Sequence, residues 1–104
     1  MGDRISISFK NDKEESVVLF SHWGGMEFLK EAQRYVKLLK DILERRHRAS
    51  YPIDRLEPNT VMIDFIRYYT CNMTIVESDL YLGSNQLAGD NSDNGHHTID
   101  LNET

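Results

Sequence analysis

RISISF, residues 4–9, sets Ile5, Ile7 and Phe9 against Ser6 and Ser8 in strict alternation. Side chains along a strand point to opposite faces with a period of two, so this stretch reads as a strand that turns Ile5, Ile7 and Phe9 toward a core. A polar stretch follows, KNDKEE at 10–15, whose Asn-Asp pair suits a reverse turn, and SVVLFSHW at 16–23 supplies β-branched and aromatic residues for a second strand. The two strands predict an antiparallel hairpin.

Beyond residue 25 the period changes. From Met26 to about Arg48, Leu29, Ala32, Val36, Leu39 and Leu43 recur in steps of three and four with Phe28, Tyr35 and Ile42 alongside, the pattern of a long amphipathic helix. SYPIDRLEPNT, residues 50–60, holds both prolines of the chain and predicts a connector, with Pro58 an early residue of the next helix. Val61, Met62, Phe65, Ile66 and Tyr69 continue that helix to about Thr70. DLYLG at 79–83 and HTIDL at 97–101 alternate again, and the Gly-, Asn- and Asp-rich residues 84–95 separate them, which predicts a second hairpin around a long polar loop. The expected architecture is a single α+β domain over residues 1–104: element order ββααββ, a four-stranded, mainly antiparallel sheet, and two helices packed on one face.

A chain of 104 residues with 39% hydrophobic and 28% charged side chains supports one modest core and not two. Cys71 is the single cysteine, so no internal disulfide framework exists and a cytoplasmic location is expected. No stretch approaches the roughly 20 apolar residues of a membrane helix. MGDRIS fits the loose N-myristoylation pattern, but the strand that begins within it outweighs the match.

Charge is unevenly placed. Residues 1–50 carry ten basic and eight acidic side chains, a net of +2, whereas 51–104 carry two basic and nine acidic, a net of −7. No lysine or arginine follows Arg67, so Glu77, Asp79, Asp90, Asp93 and Asp100 need solvent, a cation, a partner or the basic first half to balance them. This acidity argues against nucleic acid as the main ligand, since that binding rests on a basic surface. The basic candidates Arg34, Arg45, Arg46 and Arg48 belong to one helix, where cations near the C-terminus also complement its dipole.

Two loops could carry chemistry. In SHWGG, residues 21–25, the glycines allow a sharp strand-to-helix bend, and the first N–H groups of the helix could hold a phosphate or carboxylate beside His22 and Trp23. His22, Trp23, Gly24 and Gly25 are therefore the ligand-binding candidates, although the same bend also serves as a plain corner. In DNSDNG, residues 90–95, Asp90, Ser92 and Asn94 alternate and Gly95 follows, like the first half of a calcium loop, but the bidentate glutamate of the second half is replaced by Leu101. Asp90, Ser92, Asp93 and Asn94 are the candidate metal ligands, for Ca or Mg if for any ion. His96 and His97 are adjacent on a strand and must face opposite ways.

With no nucleophile and base at a diagnostic spacing, the expected function is a small non-catalytic binding module without a cofactor, self-associating as a homodimer or meeting a protein partner, with the acidic hairpin of 79–83 and 97–101 and its 84–95 loop as the recognition surface. The alternative is a metal- or phosphate-dependent enzyme in which His22 acts as acid or base and Asp90 and Asp93 hold the metal. An up-and-down order of strands would put His22 and Asp90 at opposite ends of the sheet unless the 84–95 loop folds back along it.

Overall fold

The structure is a computed structural model that describes residues 2–45 and 57–102. The strands are β1 (Ile5–Lys10), β2 (Val18–Ser21), β3 (Leu80–Gly83) and β4 (His96–Asp100), and the helices are α1 (Gly25–Arg45), α2 (Pro58–Thr70) and a single turn, α3 (Ile75–Ser78). They form an α+β domain with the expected ββααββ order, α3 being an addition. It is nucleated locally: the Thr74 hydroxyl accepts from the Glu77 N–H at 3.2 Å while the Glu77 carboxylate accepts from the Thr74 N–H at 3.3 Å, a reciprocal cap. Residues 46–48 of the expected first helix and 50–56 of the connector lie outside the described residues, and Arg46 and Arg48 with them. Arg34 pairs with Glu31 on the same helix.

The sheet order is β3-β2-β1-β4. β1 pairs antiparallel with β2 and β2 antiparallel with β3, whereas β4 lies parallel to β1. The expected second hairpin is therefore absent: β3 and β4 occupy opposite edges. Both faces of β1 are buried, with Ile5, Ile7 and Phe9 on one and Ser6 and Ser8 on the other all at 0% exposure. A strand buried on both faces belongs at the centre of a sheet, and β4 supplies its second neighbour. The 84–95 segment is long because it must cross three strand spacings, about 15 Å, and also return to the end of the sheet where β1 begins.

α1 and α2 pack over β1 on the face of Ile5, Ile7, Phe9 and Leu19. From α1 come Phe28, Leu29, Ala32, Tyr35 and Val36, and from α2 Val61, Met62 and Phe65. Phe65 is the centre of this core. Its ring lies edge-on to Phe9 at 5.8 Å and to Phe28 at 5.7 Å, and it meets Tyr35 at 5.4 Å and Tyr69 at 5.7 Å. Edge-to-face rings at these separations gain from quadrupole complementarity as well as from burial. Phe65→Ala, which removes a fully enclosed ring shared by the sheet and both helices, is expected to cost about 3–5 kcal/mol, read as a lower midpoint in urea unfolding followed by circular dichroism.

Candidate functional site

The SHWGG bend is held by a residue that the sequence did not single out. Asp79 takes the left-handed conformation (φ 52°) just before β3, and its carboxylate accepts from the Trp23 N–H at 2.8 Å and the Ser21 hydroxyl at 3.2 Å. Asp is among the few non-glycine residues that tolerate this backbone region. The Gly24 N–H donates to the Ser21 hydroxyl oxygen at 2.9 Å, and the Gly25 N–H to the Asp3 carbonyl at 2.9 Å. Three successive N–H groups at the start of α1 thus have acceptors within the protein. Gly25 has φ +57°, and a Cβ there would collide with the Asp3 carboxylate, so the bend needs glycine at that position. The His22 ring lies 5.0 Å from the Tyr81 ring, and Trp23 stands 61% exposed.

The 84–95 loop folds back along the outer face of the sheet, opposite the helices. The Asp90 N–H donates to the Tyr81 hydroxyl at 2.9 Å, and the Asn91 amide to the Ser6 hydroxyl at 2.9 Å. The Tyr81 ring stacks on Phe20 at 4.9 Å, and a Cβ at Gly89 would sit 2.7 Å from the Tyr81 hydroxyl and 2.9 Å from Phe20 Cδ2, so the loop lies flat on these rings because Gly89 has no side chain. Arg4 clasps the turn: its Nη1 donates to Asp90 at 2.5 Å, and its Nε and backbone N–H both donate to Asp93, at 3.0 and 2.9 Å. Ser92 hydrogen bonding and Arg4 hold the Asp90 carboxyl below the usual carboxylate range, and the Arg4 N–H groups do the same for Asp93. Ser92 donates its N–H to Asp90 at 3.0 Å, and the Asn94 amide reaches Asp3 at 2.7 Å.

The two sequence-selected loops therefore share one end of the molecule, joined through Asp3 and Tyr81. The parallel pairing of β4 brings the loop there. Among the described residues no group of three or more His, Cys, Asp or Glu could hold a metal ion. His96 and His97 do face opposite ways.

His96 organises a polar network that the sequence hid within an alternation. Ser6 Oγ is 2.8 Å from His96 Nδ1, and Ser8 Oγ is 3.2 Å from Nε2 and 2.5 Å from Glu15 Oε2. Glu15 only accepts, so Ser8 donates to it and accepts from Nε2–H. Nδ1 then accepts from Ser6, whose oxygen also takes the Asn91 amide. Every proton in the chain Asn91–Ser6–His96–Ser8–Glu15 has a place, and both serines are fully buried, which makes the network a closed structural element.

Both sheet edges are open among the described residues. The His22 N–H donates to the Asp79 carbonyl, and the alternation of an antiparallel ladder then turns the N–H and C=O groups of Leu80 and Leu82 outward. On the other edge Ser6 N–H donates to Gly95 O and Leu101 N–H to Lys10 O, so His96, Thr98 and Asp100 present theirs outward. Each edge borders a groove. Leu19, Ile66, Met73, Leu80 and Leu82 line one of about 450 Å³ between β3 and α2, with Leu82 57% and Met73 40% exposed. Leu29, Val36, Lys37, Lys40, His97 and Ile99 line another of about 470 Å³ between α1 and β4. No described helix is long and apolar enough to cross a membrane. Comparison with protein-family models, with curated proteins and with solved structures finds no match.

Two outcomes test this description. Burial holds His96 below its ordinary value of 6.5, so the unfolded chain takes up a proton more readily than the folded one. Stability is full above about pH 6.5 and falls as pH drops through the window below it. His96→Gln removes that limb of a stability–pH profile and leaves the separate loss that Asp90 and Asp93 bring below their ordinary 3.8. Asp79→Ala deletes a charged acceptor and strains a left-handed backbone, so it is expected to cost roughly 2 kcal/mol and to speed amide exchange at Trp23 and Gly24.

Proposed function

We propose that this chain is a non-catalytic interaction module that self-associates through β3. The observation that carries this reading is the β3 edge: Leu80 and Leu82 turn unpaired backbone groups outward, and their side chains share one face with an apolar groove. Such an edge is self-complementary. Two copies related by a two-fold axis through Tyr81 would set Leu80 beside the partner's Leu82 and Leu82 beside its Leu80, extending the sheet from four strands to eight. A long, flat apolar edge left bare invites association, and native edges are usually short, charged or covered. β3 is short but carries neither a charge nor a proline within Leu80–Gly83.

The catalytic alternative drew on His22, Asp90 and Asp93. Their side chains lie against Tyr81 and Arg4, and this favours binding over catalysis. An exposed lone thiol at Cys71 suits a reducing compartment, in keeping with a cytoplasmic location. The loop carboxylates, expected from the sequence to form the recognition surface, are engaged by Arg4, so the recognition surface is assigned to the sheet edge.

Pairing of two short strands gives a small interface, with a dissociation constant on the order of 10–100 µM. Sedimentation equilibrium is expected to show a monomer–dimer equilibrium in that range. Leu82→Lys, which puts a charge on the exposed edge and leaves the core untouched, is expected to shift it to monomer with an unchanged circular dichroism spectrum. A wild-type chain that stays monomeric well above that range would end the proposal.

A further inference from the structure

The geometry points to a second docking site, independent of β3: the cleft between α1 and β4 binds an extended peptide segment that carries apolar side chains and an acidic one. The cleft has the three parts that strand addition requires. The first is an open row of backbone groups, from His96, Thr98 and Asp100 on β4. The second is an apolar floor, formed by the buried Leu29 and Val36 of α1 and the partly buried Ile99 of β4. The third is a helix alongside the edge, which gives alternate side chains of an incoming strand a wall to pack against.

Charge selects the occupant. In a chain of net charge −5, the helix wall of this cleft carries Lys37, with Gln33 one turn before it. Among the described residues the one carboxylate lining it, Asp100, lies 3.9 Å from Lys10 Nζ. His97 projects from the other face of β4, the one it shares with Ile99. Its Nε2 is 2.8 Å from the Asn94 carbonyl, which only accepts, so Nε2 carries the proton. A basic wall over an apolar floor repels a basic strand and attracts an acidic one.

Direction follows from topology. α1 and β4 both start at the end of the sheet where Asp3 meets Gly25 and Arg4 meets Asn94, so Lys37 flanks the later part of β4. A peptide running antiparallel to β4 would bring its first residues to Lys37 and its later ones toward Leu29. Its alternate side chains would face α1, an acidic one leading and aliphatic ones following, and the rest would meet the polar face of Thr98 and His96.

The probe is the acetylated, fluorescein-labelled peptide Thr-Glu-Thr-Val-Thr-Val-Thr, titrated into the full chain carrying Leu82→Lys, so that association through β3 does not enter the measurement. Saturable anisotropy is expected with a dissociation constant on the order of 100 µM. Replacing the peptide's Glu by Lys, or introducing Lys37→Glu in the protein, should each weaken binding roughly tenfold or more. Thr98→Pro, which deletes an outward N–H and spares the ladder to β1, should abolish it. Amide shifts in a ¹⁵N spectrum should cluster on β4 and the facing side of α1. Absence of binding to about 1 mM, equal binding of the Glu and Lys peptides, or shifts elsewhere on the surface would each overturn the assignment. Loss of dimerisation in the wild-type chain would leave it standing.

Discussion

Five residues of β4 run parallel along the edge of β1, from Ser6 beside His96 to Lys10 beside Asp100, and a parallel neighbour cannot be reached through a tight turn. The chain has to leave β3 at one edge, cross the sheet and re-enter at the other. That crossing buries Ser6 and Ser8, which would otherwise form a solvated face, and the burial in turn demands partners for their hydroxyls. His96, Asn91 and Glu15 supply them, leaving no buried polar side-chain atom unsatisfied among the described residues. The same pairing leaves β3 and β4 each with one bare side.

Three carboxylates of the acidic second half, Asp90, Asp93 and Asp100, meet cations from the first strand and the residue just before it. Arg4 meets Asp90 and Asp93, and Lys10 lies near Asp100, so the two ends of β1 each supply a cation to the segment that pairs with it. These ion pairs are partly exposed, and their contribution to stability is modest and sensitive to salt. Their larger role is positional. Arg4 fixes one register of a loop that has no apolar side chain in its Asp90–Gly95 turn to anchor it.

Much of this was legible in the residues. The alternation in RISISF assigned Ile5, Ile7 and Phe9 to the core face, and the spacing of Phe28, Ala32, Tyr35, Val36, Val61, Met62 and Phe65 assigned both helices. Local periodicity carries that information because it depends only on which face of an element is buried. Strand order does not depend on it. A two-residue period says that Ser6 and Ser8 face away from the helices, and nothing in it says that a distant loop will cover them. The serines resembled a solvent face because buried hydroxyls and exposed ones are spelled alike. The role of Asp79, noted in the sequence only as an unbalanced carboxylate, was hidden for a related reason: its task is set by backbone conformation and by the Trp23 N–H, a group without a sequence signature. The glycines of SHWGG stood out as unusual, but the sequence could not separate a bend shaped by Asp3 from one shaped by a ligand.

The pairing of β1 with β4 also constrains the order in which the molecule can be made. β1, inside the sheet, is synthesised well before its last neighbour β4, with two strands and all the helices between them in sequence. Until residues 96–101 have been translated, β1 has one unpaired side, Leu101 is missing from the core, and Ser6 and Ser8 lie open to water. Contacts across so much intervening chain form late, because ring closure must precede them. The nascent chain can form its first hairpin and helices early, but the sheet is complete only once β4 has emerged, and until then β1 keeps one bare, sticky side.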